Sequence, residues 1–319
     1  MMEQFACRRR SGKHNSCRGF GFDVLMHFRR NIAAVSLLTG GLVAQQPAKT
    51  PIRPELSQEK IRELIRTCAD KDLENNKKLR DYTYVERQQM QRINGKGEVK
   101  SSESETSDVM EVYGEQVQKV IEKNDKPLSA KDAQKENEKI QKLIDKRKNE
   151  SESDRRKRLE KQEKDREDEL QFVREVADGY NFTFIGTELL DGRENYVIDA
   201  DPKPGYKPVR KEAKILPKAR FRVWIDKDDT QVKKLDVKFI DTVSFGLFLA
   251  RIHKGSEVVL EFTRVNNEVW LQQHVTVSAD VRLALVKDYD IRADITDRDY
   301  KKFRTDTRIL PIADSQPVH

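Results

Sequence analysis

The residues able to do chemistry are few, and their spacing does not suit it. Beyond residue 44 the histidines are His253, His274 and His319, and none stands in a His-Glu-x-x-His arrangement or any other metal-ligand spacing. There is no Gly-x-Ser-x-Gly elbow to raise a nucleophilic serine and no glycine-rich loop ending in Lys-Ser/Thr to cradle phosphate. Asp226-Lys-Asp228-Asp229 has the oxygen density of a calcium loop. The glycine and the closing bidentate glutamate that such a loop requires are missing, so the segment reads as a hairpin turn. Asn149-Glu-Ser151 and Asn181-Phe-Thr183 match the glycosylation sequon, a pattern short enough to arise by chance. Cys68 is alone beyond the leader, cannot form an internal disulfide, and reads as a small core residue. The sequence predicts no catalytic residue, no metal and no cofactor.

What remains is a surface, and its elements are legible. From Asn181 to Ile295 short segments alternate apolar and polar residues between tight turns. Phe182 and Phe184 lead to Asp191-Gly192, a hairpin turn whose two positions both need positive φ, and then to Tyr196, Ile198 and Ala200. Phe221, Val223 and Ile225 alternate with Arg220, Arg222 and Trp224, and Leu235, Val237 and Phe239 alternate with Lys234, Asp236 and Lys238. Val258, Leu260 and Phe262 precede a turn at Asn266-Asn267, and Tyr289, Ile291, Ala293 and Ile295 form the last alternating run. Period-two alternation gives each strand one buried and one wet face, so this is an antiparallel sheet with an apolar face that something must cover. Asp201-Pro-Lys-Pro-Gly-Tyr-Lys-Pro208 cannot be a central strand and reads as a loop, with the basic residues up to Lys218 as its solvated surface. Val243 to Ile252 reads as a bent strand or short buried helix, or as an apolar flap at a cavity mouth.

Ahead of the sheet, Ser57 is a candidate N-cap, and Ile61, Leu64, Ile65, Cys68 and Ala69 share one helical face. A strand is predicted from about Asp81 to Ile93, with a turn at Asn94–Gly97, and a second from Val99 to Tyr113. Ser129 to Ala177 contains no Gly or Pro and mixes both charge signs densely, which predicts two solvated helices broken near Asn149–Ser153. Ile140, Leu143 and Ile144 form one sparse apolar stripe, and Leu170, Val173, Val176 and Ala177 another.

Met26 begins a short basic stretch, Ile32 to Ala44 is a compact apolar run ending in small residues, and together they predict a secretory signal cleaved near Ala44. The first 25 residues fall outside that pattern and read as a spurious extension, with Met26 rather than Met1 as the true start. The whole chain has 62 Lys+Arg against 55 Asp+Glu. The excess lies mostly in residues 1–44, which leaves the rest with a net charge of +2 and removes the support for nucleic-acid binding.

Several phrases resemble one known group. They are Tyr180-Asn-Phe-Thr-Phe-Ile-Gly186, Gly192-Arg-Glu-Asn-Tyr196, the proline-rich 201–208 stretch, Val223-Trp-Ile-Asp226 and Val269-Trp-Leu271. Over residues 57–303 the chain resembles the LolA/LppX-like superfamily, which includes outer-membrane lipoprotein-sorting proteins, and in particular a branch common in soil Acidobacteria. The resemblance implies an α+β fold: a strongly curved antiparallel sheet, an incomplete β-barrel, whose concave face is covered by helices. Here it would carry a long charged helical insertion at about 129–177, after a Pro-containing leader at 45–56 and before a tail at 304–319. It implies a periplasmic carrier or chaperone for a lipid, lipoprotein or other amphiphile, whose acyl chains would meet Phe184, Phe221, Val223, Val237, Phe239, Phe245, Phe248 and Phe262. Its partners would be lipid or lipoprotein acyl chains and envelope proteins, with no nucleic acid and only transient membrane contact. The alternative is a non-catalytic envelope scaffold that uses the charged helices as its partner surface.

Overall fold

Ser57 starts the first helix, as its side chain accepts a hydrogen bond from the Lys60 N–H and closes the first turn of α1 (Gln58–Leu79). The buried residues Ile61, Ile65, Cys68 and Ala69 form the predicted stripe. The structure is a computed structural model that describes residues 56–245, 250–283 and 287–303. The signal, nearly all of the proline-containing leader, Phe248 and the tail from 304 lie outside the described residues. All described residues fall in one compact unit.

After α1 come β1 (Tyr82–Ile93), β2 (Val99–Val112), β3 (Glu115–Lys123) and β4 (Lys126–Pro127). Two charged helices follow, α2 (Ala130–Lys148) and α3 (Glu152–Gly179), capped by Ser129 and Ser151. Then come β5 (Tyr180–Leu190), β6 (Arg193–Pro202), a 3-10 turn (Glu212–Lys218), β7 (Ala219–Asp226) and β8 (Val232–Phe239). Next come β9 (Val243–Phe245), β10 (Ala250–Ile252), β11 (Glu257–Val265), β12 (Val269–Leu283) and β13 (Lys287–Lys302). Within the predicted Val243–Ile252 segment, β9 and β10 are two short strands paired with each other, and residues 246–249 between them lie outside the described residues.

The strands form one antiparallel sheet in the order β4-β3-β2-β1-β13-β12-β11-β8-β7-β6-β5, with β10 joining β12 and β9 joining β10. The two end strands do not meet, so the sheet is open. β3 and β4 were not legible in the sequence. Their hairpin with β2 turns on Tyr113 (φ 52°) and Gly114 (φ 83°) rather than on an Asn or Asp pair, and their residues are mostly charged or amide-bearing.

The helices show that the sheet curves. Near its start α3 touches the β2–β3 turn, where Arg158 donates to the Tyr113 carbonyl at 3.0 Å and Gln162 to that of Gly114 at 3.2 Å. At its end α3 runs directly into β5. In a flat sheet these places would lie about 38 Å apart, eight strand spacings of about 4.8 Å. The helix from Gln162 to Gly179 spans only about 26 Å. α3 is therefore a chord across a bent sheet.

Helix α2 takes the other side. Ile140, Leu143 and Ile144 pack on Met110, Val112 and Val117. On β2 these positions alternate with Val109, whose direct partner is Tyr84 on β1, so α2 lies on the outer face of the β2–β3 hairpin. Arg147 bridges Glu115 at 2.6 Å and Glu150 at 3.2 Å, and Arg158 closes on Glu150 at 2.8 Å, which fixes the α2–α3 corner to the hairpin.

Candidate binding face

Two rows of side chains define the inner face. Directly opposed residues in antiparallel strands share a face. Phe182, Ala200, Phe221, Val237, Val258, Val277 and Ala293 are successive partners from β5 to β13. Phe184, Ile198, Val223, Leu235, Leu260, Val275 and Ile295 form the adjoining row across the same strands. Tyr180, Phe182 and Phe221 gather into an aromatic corner, with Tyr180 and Phe221 centroids 4.9 Å apart. The Tyr180 hydroxyl donates to the carbonyls of Leu216 and Ala219, which ties the corner to the 3-10 turn.

Of the eight residues the sequence assigned to this face, Phe221, Val223, Val237 and Phe239 are each at most 2% exposed. Phe184 is half-buried, its ring centroid 6.1 Å from that of Tyr196. Phe262 is half-buried beyond a bulge in β11, opposite Gln272. Phe245 ends β9, and Phe248 lies outside the described residues. The rows are covered by the chain itself. Helix α1 lies between β5 and β12 and touches both. The Gln58 carboxamide bonds both the N–H and the carbonyl of Phe182. Asn75, buried, donates to Gln231 at 2.9 Å and accepts from the Trp270 N–H at 3.2 Å. Phe172, Val176 and Ala177 of α3 are buried in the helical layer beside α1. Phe172 lies outside the predicted stripe, of which Val173 is half-buried and Val176 and Ala177 are buried.

Beyond β13 the same face changes character. The partner of Ile295 on β1 is Gln88, and that of Asp297 is Glu86. Glu86 and Asp297 are 1% and 3% exposed. Gln118 donates to Glu86 at 2.8 Å, Gln88 bonds it as well, and Gln272 donates to Asp297 at 2.7 Å. The inner face is thus amphipathic: the apolar rows that run from β5 to β13 meet a polar patch made by Glu86 and Gln88 of β1 and Asp297 of β13. Sequence gave no hint of this, because in β1 Glu86 and Gln88 alternate with Arg87 and Gln89 and both sets are polar.

The other candidates resolve as structure. Asp226 accepts from the Arg193 guanidinium at 2.5 and 2.7 Å and from the N–H groups of Asp228 and Asp229. Burial raises the Asp226 carboxyl, but the Arg193 bonds and the Asp229 N–H outweigh it and hold it below the usual range. Arg193 also reaches Asp229 and lies over the Trp270 ring, so the residues of the supposed calcium loop are held by a guanidinium. His274 sits in an outer-face charge row, 2.8 Å from Asp294 and 3.7 Å from Glu261. Burial pushes the Cys68 thiol up to about 12, and it donates to the Thr230 carbonyl. Among the described residues no group of three or more His, Cys, Asp or Glu could hold a metal ion, and no helix is long and apolar enough to cross a membrane. A shallow groove of about 340 Å³ lies between the β1–β2 turn and β13, lined by Lys254, Asp280, Asp290 and Arg292 among others; it includes none of the eight predicted residues.

No family model and no curated protein matches the chain. Solved structures similar to it include an outer membrane lipoprotein-sorting protein domain from Vibrio parahaemolyticus, 11% identical over 77% of this chain and 95% of that one, with a TM-score of 0.32. A LolA superfamily protein from Nitrosomonas europaea is 7% identical over 78% and 94%, with a TM-score of 0.29. A DUF1329 family protein from Desulfovibrio piger is 12% identical over 75% and 92%, with a TM-score of 0.27. These superpositions are loose, so the open α+β half-barrel rests on the strand register itself.

Proposed function

We propose that the protein is a non-catalytic carrier that holds the acyl chain of a lipid, lipoprotein or other amphiphile against the inner sheet face, and that it is exported after cleavage near Ala44. One observation carries this reading: two unbroken apolar rows cross seven neighbouring strands of an open sheet, with helices rather than a second sheet as their cover. The rows are largely covered by the chain itself, so a guest enters by displacing part of that cover. The part of α3 before residue 166 is suited to this, since it is largely exposed and Arg158 and Gln162 tie it to the sheet by polar contacts at the β2–β3 turn. Each methylene transferred to the face contributes roughly 0.8 kcal/mol, so a long chain needs no specific polar contact to bind.

A fluorescent fatty acid titrated into the purified protein tests the reading. Saturable binding is expected, weakened by Val237→Arg, which sets a guanidinium among the apolar rows. Should circular dichroism show that variant unfolded, Phe184→Glu at the half-buried end of its row serves instead. Absence of saturable binding, or equal binding by a folded variant, sinks the carrier reading. A second reading is then left, an envelope scaffold that uses α2 and α3 as partner surface. The filling of the rows by the chain's own side chains favours it.

A further inference from the structure

The connection from β6 to β7 is not the merely solvated loop its composition suggests. Glu175 on α3 is buried, and one of its carboxylate oxygens accepts from the Tyr206 hydroxyl at 3.0 Å and from the Val209 N–H at 2.6 Å. The Tyr206 ring lies against Gly179, where a Cβ would come within 3.0 Å of it. Arg210 pairs with Asp168. Pro204 and Pro208 stiffen the backbone between these ties. Ala213 and Leu216 anchor the following 3-10 turn in the core.

So fastened, the strap presents an unusual outer surface. Val209 is 89% exposed although its own N–H is fixed to a buried carboxylate. Around it Lys207, Lys211 and Lys214 are exposed and make no ion pair among the described residues. Residues 203–214 hold five basic side chains and one acidic one, Glu212, in a chain that beyond residue 44 is nearly neutral. An exposed aliphatic tip ringed by unpaired lysines on a rigid loop complements a surface of dense negative charge with an apolar layer just beneath it. We infer that this strap is a docking surface for an anionic lipid bilayer. An acidic protein would satisfy the lysines but offers no reason for a projecting, immobilised valine. The inference does not depend on what the inner face carries.

Cosedimentation with vesicles tests it. The protein should bind phosphatidylcholine vesicles containing about one-third phosphatidylglycerol, fail to bind pure phosphatidylcholine, and dissociate as salt is added. Each lysine close to an anionic bilayer raises partitioning about fivefold, so the triple variant Lys207→Glu, Lys211→Glu, Lys214→Glu should lose at least roughly a hundredfold. Val209→Asp should lose several-fold while leaving every lysine in place. Fatty-acid binding by the triple variant should stay at the wild-type level, which separates this surface from the inner face. No binding to anionic vesicles at low salt, equal binding to neutral ones, or triple-variant binding equal to wild type would each overturn the inference. So would capture by a polyglutamate peptide without capture by vesicles.

Discussion

Removing the Arg193 guanidinium should destabilise the protein severely, because of what it leaves behind. The Asp226 side chain is 1% exposed, and Arg193→Leu strips it of its cation and of two hydrogen bonds. Breaking a buried pair in this way costs about 3–5 kcal/mol. Asp226 keeps two backbone N–H donors, and Arg193 itself is 27% exposed, so the lower end, about 3 kcal/mol, applies here. For a domain of this size that is a fall in Tm of about 6–12 °C by calorimetry. The pH dependence has a definite sign. Asp226 has a lowered pKa in the folded protein, so its contribution is present above its unfolded pKa of about 3.9 and is lost as pH falls through the folded value. The gap between wild type and Arg193→Leu should therefore be widest near neutrality and narrow on acidification. Adding Asp226→Asn to Arg193→Leu should recover roughly 1 kcal/mol or more, since the buried charge is then gone. A loss below about 1 kcal/mol in the single variant, or a gap that widens at low pH, would refute the argument.

Other consequences are quicker to check. Cys68, its thiol pushed up to about 12 by burial, should resist iodoacetamide in the native protein at neutral pH and react fully in denaturant; fast native labelling would mean α1 opens readily. Gly179→Ala should push the Tyr206 ring away and loosen the strap, seen as faster tryptic cleavage after Arg210 and Lys211; an unchanged rate would show that the ring is not what fixes the loop. In hydrogen exchange, amides of α2 and of α3 before Gln162 should exchange well before those of β7 and β8, and equal protection would make the helical pair integral to the core.

Where the sequence was readable, a physical contrast made it so. Phe221, Val223, Val237 and Phe239 alternate with charged neighbours across two strands, and all four are buried on one face. Asp191-Gly192 and Asn266-Asn267 adopt positive φ and turn hairpins, and the break near Asn149 separates α2 from α3. Where contrast was lacking, nothing could be read. The Tyr113-Gly114 turn lacks the usual first residue, so β3 went unseen. The polar end of the inner face, with Glu86 and Asp297, arises only when β1 meets β13, a pairing between distant parts of the chain that no local pattern encodes. The docking of the proline-rich strap on Glu175 is likewise a tertiary event; its lysines were visible in sequence, but their grouping about a fixed Val209 was not.

The place of β1 in the strand order bears on how the chain acquires its shape. Tyr82 lies opposite Lys302, so the first strand is completed on one side by β2, made next, and on the other by the last strand. Two half-sheets, one on each side of that seam, can form from local hairpins, but only β13 joins them. Loop-closure entropy makes this the late, slow step, and the wiring has the high contact order of slow folders. Until β13 arrives, β1 and β12 each present a bare edge in the middle of the future sheet, a hazard for aggregation. A nascent chain emerging N-terminus first would remain unlocked until β13 is made, so truncations that remove β13 should yield insoluble protein rather than a smaller folded one.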